Sequence, residues 1–171
     1  MMRNSGLCLP IEKKSAFLRA IEDELLSLPG VSNAAVTTSI PIDDGGFPAR
    51  VMLEGRTTAT EEEIGVSSIG ITHRFFPALG LEPLAGRNFS EAESTNPQAE
   101  VVMVNRAFAR QFWTDGGAVG RRIGIGFGPA RQWFQIVGVV PDVQFEEFGE
   151  ETVQSRLNVY YPYARVGSRI L

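Results

Sequence analysis

Thiols, imidazoles and lysines are almost missing from this sequence of 171 residues. Cys8 is its single cysteine, so no disulfide can form within the chain, and the redox state of its compartment is left open. Without a basic partner beside it in the loose opening segment, Cys8 reads as a free structural thiol. His73 is the single histidine, which rules out a zinc site built on histidines. Any His–Ser or His–Cys pair would have to use that one residue. Its position at the start of a short predicted helix favours an exposed or capping role. Basic residues number 16, yet lysine supplies just Lys13 and Lys14. Arginine suits carboxylate pairing better than lysine does, although genome composition explains the bias more simply. Net charge is −4 with both signs interspersed, so neither a nucleic-acid partner nor a polybasic membrane surface is expected. No run approaches the ~20 apolar residues of a membrane-spanning helix. The opening MMRNSGLCLPIEKK has one early Arg but no adequate hydrophobic region, and does not read as a signal peptide. Work outside the cytoplasm would require something beyond this chain to carry it there. Internal repeats and low-complexity segments are absent too.

What is present is an ordinary globular composition, 43% apolar and 21% charged. The length fits one domain, or one domain with an inserted lobe, and suffices to bury a core. The densest stretch is residues 101–138. Val101, Val102, Met103 and Val104 form a β-branched apolar run, as in a strand buried on both faces. Asn105 is placed to cap a helix over 106–113, in which Phe108/Phe112 and Ala109/Trp113 stand four apart. Asp115, Gly116 and Gly117 end it. Residues 121–127 and 132–140 predict two strands joined across Gly128 and Pro129.

In chain order, residues 12–28 predict a helix with the apolar stripe Phe17, Leu18, Ile21, Leu25 and Leu28, and with Glu12 at its positive end. Pro29 and Gly30 stop it. Strands are predicted over 31–40, through Phe47, Val51 and Leu53 after a turn over 41–46, and over 64–71, where Gly65 and Gly70 suggest a bulge. The polar residues 56–63 form a loop. Thr72 is placed to cap a short helix ending at Gly80, residues 81–89 run extended, and 90–98 form an exposed loop. The acidic segment 141–152 precedes a last strand, NVYYP, in which Pro162 favours a sheet edge or the strand's end. Strands outnumber helices and short turns separate them, which predicts an α+β fold with a mixed or antiparallel sheet.

Chemistry-bearing patterns each have a plainer reading. Gly120, Gly124, Gly126 and Gly128 match neither the dinucleotide fingerprint nor a P-loop, since no helix follows and no Gly-Lys-Ser/Thr occurs; they read as hairpin glycines. Ser67 in GVSSIG is not a nucleophile elbow, because the second Gly falls one residue late. Glu146, Glu147, Glu150 and Glu151 lack the alternating oxygen ligands of a calcium loop and read as a solvated face. Arg121, Arg122 and Arg131 could meet an acidic partner, or simply decorate two strands. Of Phe145, Phe148, Tyr160, Tyr161 and Tyr163, at least half are expected in the core. The residues thus nominate no catalytic, cofactor-binding or metal-binding set.

Five stretches carry a resemblance: LPGVSNAAVTTSIPI, FFPALGLEPLAGRNFSEAES, VVMVNRAFARQFWTDGGAVGRRI, QIVGVVPDV and VYYPYAR, in that order. Together, across about residues 16–165, they resemble the MacB-like periplasmic core domain, the extracytoplasmic domain of FtsX-like ABC transporter permeases. They look closest to the long permeases with a duplicated domain plan that are abundant in acidobacteria. The resemblance implies a porter-like α/β subdomain, here about 1–40 and 156–171, interrupted by an inserted β-rich, Sabre-like lobe over about 41–155. It implies a place between the first two transmembrane helices, on the periplasmic face of the bacterial inner membrane. It also implies a non-catalytic role without cofactors, coupling movement driven by a separate cytoplasmic ABC ATPase to export or to periplasmic partners. The expected partners are the permease's transmembrane helices, that ATPase and a periplasmic adaptor. The family domain normally begins with a strand, for which only Leu7, Cys8 and Leu9 could serve here. It normally continues past VYYPY with a strand–helix–strand, so its C-terminal part is expected to be missing. A half-complete sheet would leave an open edge and favour a homodimer. The alternatives are a stand-alone periplasmic binding or adaptor module, or a truncated remnant of such a permease gene. An enzyme would need convergent titratable groups in a pocket, which one His and one Cys far apart in sequence do not offer.

Overall fold

The computed structural model describes residues 11–40, 46–55, 63–113, 117–126, 131–143 and 157–165. Their helices are α1 (Ile11–Ser27), α2 (Phe75–Ala78), α3 (Glu91–Thr95) and α4 (Arg106–Phe112). Their strands are β1 (Phe47–Leu53), β2 (Ile64–Ile71), β3 (Ala85–Gly86), β4 (Val101–Asn105), β5 (Arg122–Ile125), β6 (Gln132–Val140) and β7 (Asn158–Pro162). The fold is α+β with a mixed sheet: β2–β7 and β4–β6 run parallel, the other ladders antiparallel.

The strand order is β3-β6-β4-β7-β2-β1-β5, and β5 pairs with β6 as well as with β1. Six strands therefore close into a ring, with β3 laid outside on β6. Alternation then sorts the core into two layers. Val51, Leu53, Val66, Val102, Val104, Ile123, Ile125, Phe134, Ile136, Val159 and Tyr161 come from all six ring strands and share one cluster, so they point inward. Phe108 and Ala109 of α4 join them and plug the ring. The outward residues Ile69, Ile71, Met103, Val137, Val140 and Tyr160 pack beneath Phe75 and Phe76 of α2 and beneath Phe89. The ladder slips between Val102 and Met103, where Ile136 and then Gly138 are the partners, leaving Val137 as the extra residue. That bulge lets Ile136 and Val139 both face inward, three apart rather than two. Gly138 is needed there: an added Cβ would run into the Arg87 carbonyl oxygen as 85–87 crosses β6.

Several expectations are corrected. Residues 31–40 form no strand; Thr37 makes one isolated bridge to Ile71. Thr38 N donates to Gly70 O at 2.9 Å and Thr72 N to Val36 O at 3.0 Å. The return bonds, however, end on hydroxyls, Gly70 N on Thr38 Oγ1 at 2.9 Å and Val36 N on Thr72 Oγ1 at 3.1 Å. Threonine side chains have replaced the carbonyls a ladder would use. Thr72 is therefore not the cap of α2, whose N-cap position is Arg74 without a side-chain bond. Residues 90–98 are not all loop: Ser90 and Glu93 form a reciprocal capping box that starts α3. The β2 ladders keep register through Gly65 and Gly70, so the bulge is in β6 instead. Strand β7 is not at an edge but lies buried between β4 and β2, with Pro162 as its last residue. No long open edge remains among the described strands, since the ring closes and β3 is two residues long.

Candidate functional site

Leu18, Glu22 and Leu26 stand four apart on α1, and the middle one is a carboxylate only 4% exposed. It faces Thr72, which the end of β2 sets in place. Thr72 Oγ1 donates to Glu22 Oε1 at 2.5 Å while accepting from Val36 N. His73 follows, half-buried, with its carbonyl held by Asn88 Nδ2 at 3.0 Å. Its Nδ1 lies 3.3 Å from Ser94 Oγ on α3. Arg19 of α1 donates from Nη2 to Thr95 Oγ1 at 2.7 Å, and its Nε lies 3.6 Å from Glu91 Oε1. With Asp23 and Arg74 these groups line a cleft of about 20 Å³, room for roughly one water.

Burial holds the His73 imidazole below its usual range; Arg74 and Arg19 push the same way, and Glu22 and Glu91 oppose them. It is neutral at pH 7. Ser94 Oγ is 2% exposed at the residue level and donates to Glu91 O at 3.0 Å. The Ser94 hydroxyl thus lies between Glu91 O and His73 Nδ1. The groups tie α1 and α3 to each other and to the end of β2.

Asn105 and Arg165 also act as ties. Asn105 Oδ1 accepts from Phe108 N, capping α4, and from Asn158 N at the start of β7, both at 3.1 Å. Arg165 donates to Ala99 O at 3.2 Å and Gln132 Oε1 at 2.6 Å, its guanidinium 4.5 Å from the Phe134 ring centre; burial pulls its pKa down. Arg87 grips Glu93 through two 2.7 Å bonds and, with Ser90, holds that carboxyl down to about 2. Burial pushes the Tyr160 and Tyr161 hydroxyls up.

Of the residues weighed in sequence, Ser67 is buried inside β2. Gly124 and Gly126 belong to the β5–β6 arm as hairpin glycines should, and Gly120 precedes it in a turn. Arg122 pairs with Glu54 at 3.1 Å and stacks over Trp133, Arg121 reaches Gly117 O, and Arg131 reaches Gly126 O; the three do not converge on a site. Tyr160 and Tyr161 are core and Tyr163 is half-buried. Cys8, Gly128, Phe145, Phe148 and the acidic residues Glu146, Glu147, Glu150 and Glu151 lie outside the described residues. Among the described residues, no three His, Cys, Asp or Glu side chains gather as a metal site, and no helix is long and apolar enough to cross a membrane. Sequence reasoning missed Glu22, Thr72 and Ser94. Only Ser94 had a local signal, the Ser-x-x-Glu box that starts its helix.

Comparison with known proteins bears on the whole chain. The family model of the MacB-like periplasmic core domain matches residues 12–170. The macrolide export ATP-binding/permease protein MacB of Chromobacterium violaceum is 31% identical over 108 residues, 63% of this chain and 15% of that protein. The protein of the same name from Acinetobacter baylyi is 31% identical over 112 residues, 65% of this chain and 16% of that protein. The chain thus spans about a sixth of the length of these relatives. In fold it is similar to the periplasmic region of MacB from Actinobacillus actinomycetemcomitans, with a TM-score of 0.57 at 18% identity, covering 89% of this chain and 57% of that one. It is likewise similar to the extracellular domain of the noncanonic ABC-type transporter YknZ from Gram-positive bacteria, with a TM-score of 0.55 at 14% identity, covering 89% and 65%.

Proposed function

This chain belongs to the MacB-like periplasmic core domain family, and from that premise we propose that it is the non-catalytic, extracytoplasmic part of an ABC-type permease. The match over residues 12–170 carries the reading. The interior supports it: Asn105 and Arg165, both buried, join elements of the fold. In this reading transmembrane helices outside the chain hold it on the periplasmic face of the inner membrane. A separate cytoplasmic ABC ATPase moves those helices, and the domain passes the movement to an exported substrate, to a periplasmic adaptor or to a second copy of itself. The duplicated permease plan belongs to the same proposal, on the strength of the five stretches alone. So does the division into a porter-like part (1–40 and 156–171) and an inserted lobe (41–155). In the ring, β7 from the first part sits between β4 and β2 of the second, so any boundary near 156 must run within one sheet.

Topology in cells tests this. With an epitope tag placed in the chromosomal gene, protease added to intact spheroplasts is expected to destroy the tagged domain. A cytoplasmic ABC ATPase is expected to co-purify from detergent extracts. A domain that survives until the spheroplasts are lysed would overturn the proposal.

A further inference from the structure

We propose that α1 is a releasable arm, pivoting at Pro29–Gly30 and latched to the strand ring through Glu22 and Thr72. Neither core cluster contains a residue of α1 from 16 to 27. Two of its large apolar side chains stay largely in water, Phe17 at 57% exposed and Leu25 at 41%, as does Leu28 just after it at 48%, while Leu18, Ile21 and Leu26 are only half-buried. Its one fully buried side chain from residue 16 onward is the carboxylate of Glu22, and the bonds that join it to the ring and to α3 form a polar seam, Glu22 on Thr72 and Arg19 on Thr95 and Glu91. Apolar burial supplies most of the cohesion between packed elements, whereas hydrogen bonds add little net because water replaces them. Lifting α1 returns the Glu22 carboxylate to water and so recovers its desolvation cost. The seam is therefore cheap to open relative to the ring.

The chain after α1 is anchored independently. Val36 and Thr38 are bonded to Thr72 and Gly70 at the end of β2. Between anchor and helix lies Gly30, exposed and at φ +85°, a conformation from which a helix can be redirected at little cost. Thr72 sits at the junction. Its hydroxyl donates to Glu22 but accepts from Val36 N, so releasing the first bond leaves the second in place. The open state uncovers Thr72, His73 and Ser94 while the ring stays closed. The inference rests on this geometry and not on the permease reading, which would stand if it failed.

Native-state hydrogen exchange on the intact chain at pH 7 tests it. Amides of α1 are expected to exchange through an opening that leaves β4, β6 and β7 protected. Thr72→Val, which also takes the acceptor from Val36 N, is expected to speed exchange of α1 and of residues 31–38 about tenfold or more with β4, β6 and β7 amides unchanged, and Thr72→Ser to stay near the parent. Arg19→Ala, which touches only the exposed end of the seam, is expected to speed α1 exchange several-fold and provides the test if Thr72→Val does not fold. Equal opening free energies for α1 and the strands in the parent chain would overturn the proposal. So would unchanged α1 exchange in Arg19→Ala.

Discussion

At the scale of single residues, His73 makes a usable probe because it is the one histidine in the chain. Its folded pKa lies below 6.5, chiefly through burial. Just below pH 6.5 the unfolded chain therefore binds a proton that the folded chain does not, so stability falls as pH drops from 6.5 through the folded pKa. Glu93 acts in a separate window: its carboxyl falls from 4.5 to about 2 on folding, so its contribution is lost only below about pH 4.5. Urea midpoints compared at pH 7 and pH 5 thus report on His73. The midpoint is expected to drop at pH 5, and to drop less in His73→Asn; an equal drop in both would refute the assignment. From the sequence the place of His73 beside a short helix was legible. Its partner Ser94 was not, because the two stand 21 apart in sequence and are brought together by tertiary packing.

Elements were legible wherever one local rule decided them. Asn105 before a run of alternating apolar rows gave the start of α4, and the glycines after Arg121 gave a hairpin. What local rules do not show is that Asn105 also holds β7, 53 residues away in sequence. Asn105→Ala removes a helix cap, about 1 kcal/mol, and strands the buried Asn158 amide, about 1–3 kcal/mol more. Denaturant unfolding should show a loss of at least about 2 kcal/mol; a loss under about 0.5 kcal/mol would mean that the Asn158 amide finds another acceptor. Where two rules competed, the sequence misled. The threonines at 37, 38 and 72 suit a strand by propensity, yet their hydroxyls took over the hydrogen bonds that a strand would have made. The stripe on α1 has helical spacing, but of its residues only Leu18 and Ile21 are half-buried, and the helix buries Glu22, which the stripe did not include.

The whole molecule is held by contacts that periodicity does not encode. Alternation told that Val51 and Leu53 of β1 are buried, although Phe47 of the same series is exposed, but strand neighbours depend on how the chain returns. Closure through β5 and the insertion of β7 between β4 and β2 were therefore not legible. Family stretches, in contrast, were legible in order along nearly the whole length, and the family model spans the same region. The central claim is that this ring and its arm are the outer part of a membrane-embedded permease. Sequencing the genomic DNA on both sides of the reading frame tests it most directly. The account predicts a continuous frame that encodes a hydrophobic span of ~20 residues just before the domain and further spans after it. A frame that starts at Met1 and stops after Leu171, with no permease gene beside it, would contradict the account and remove the mechanical role.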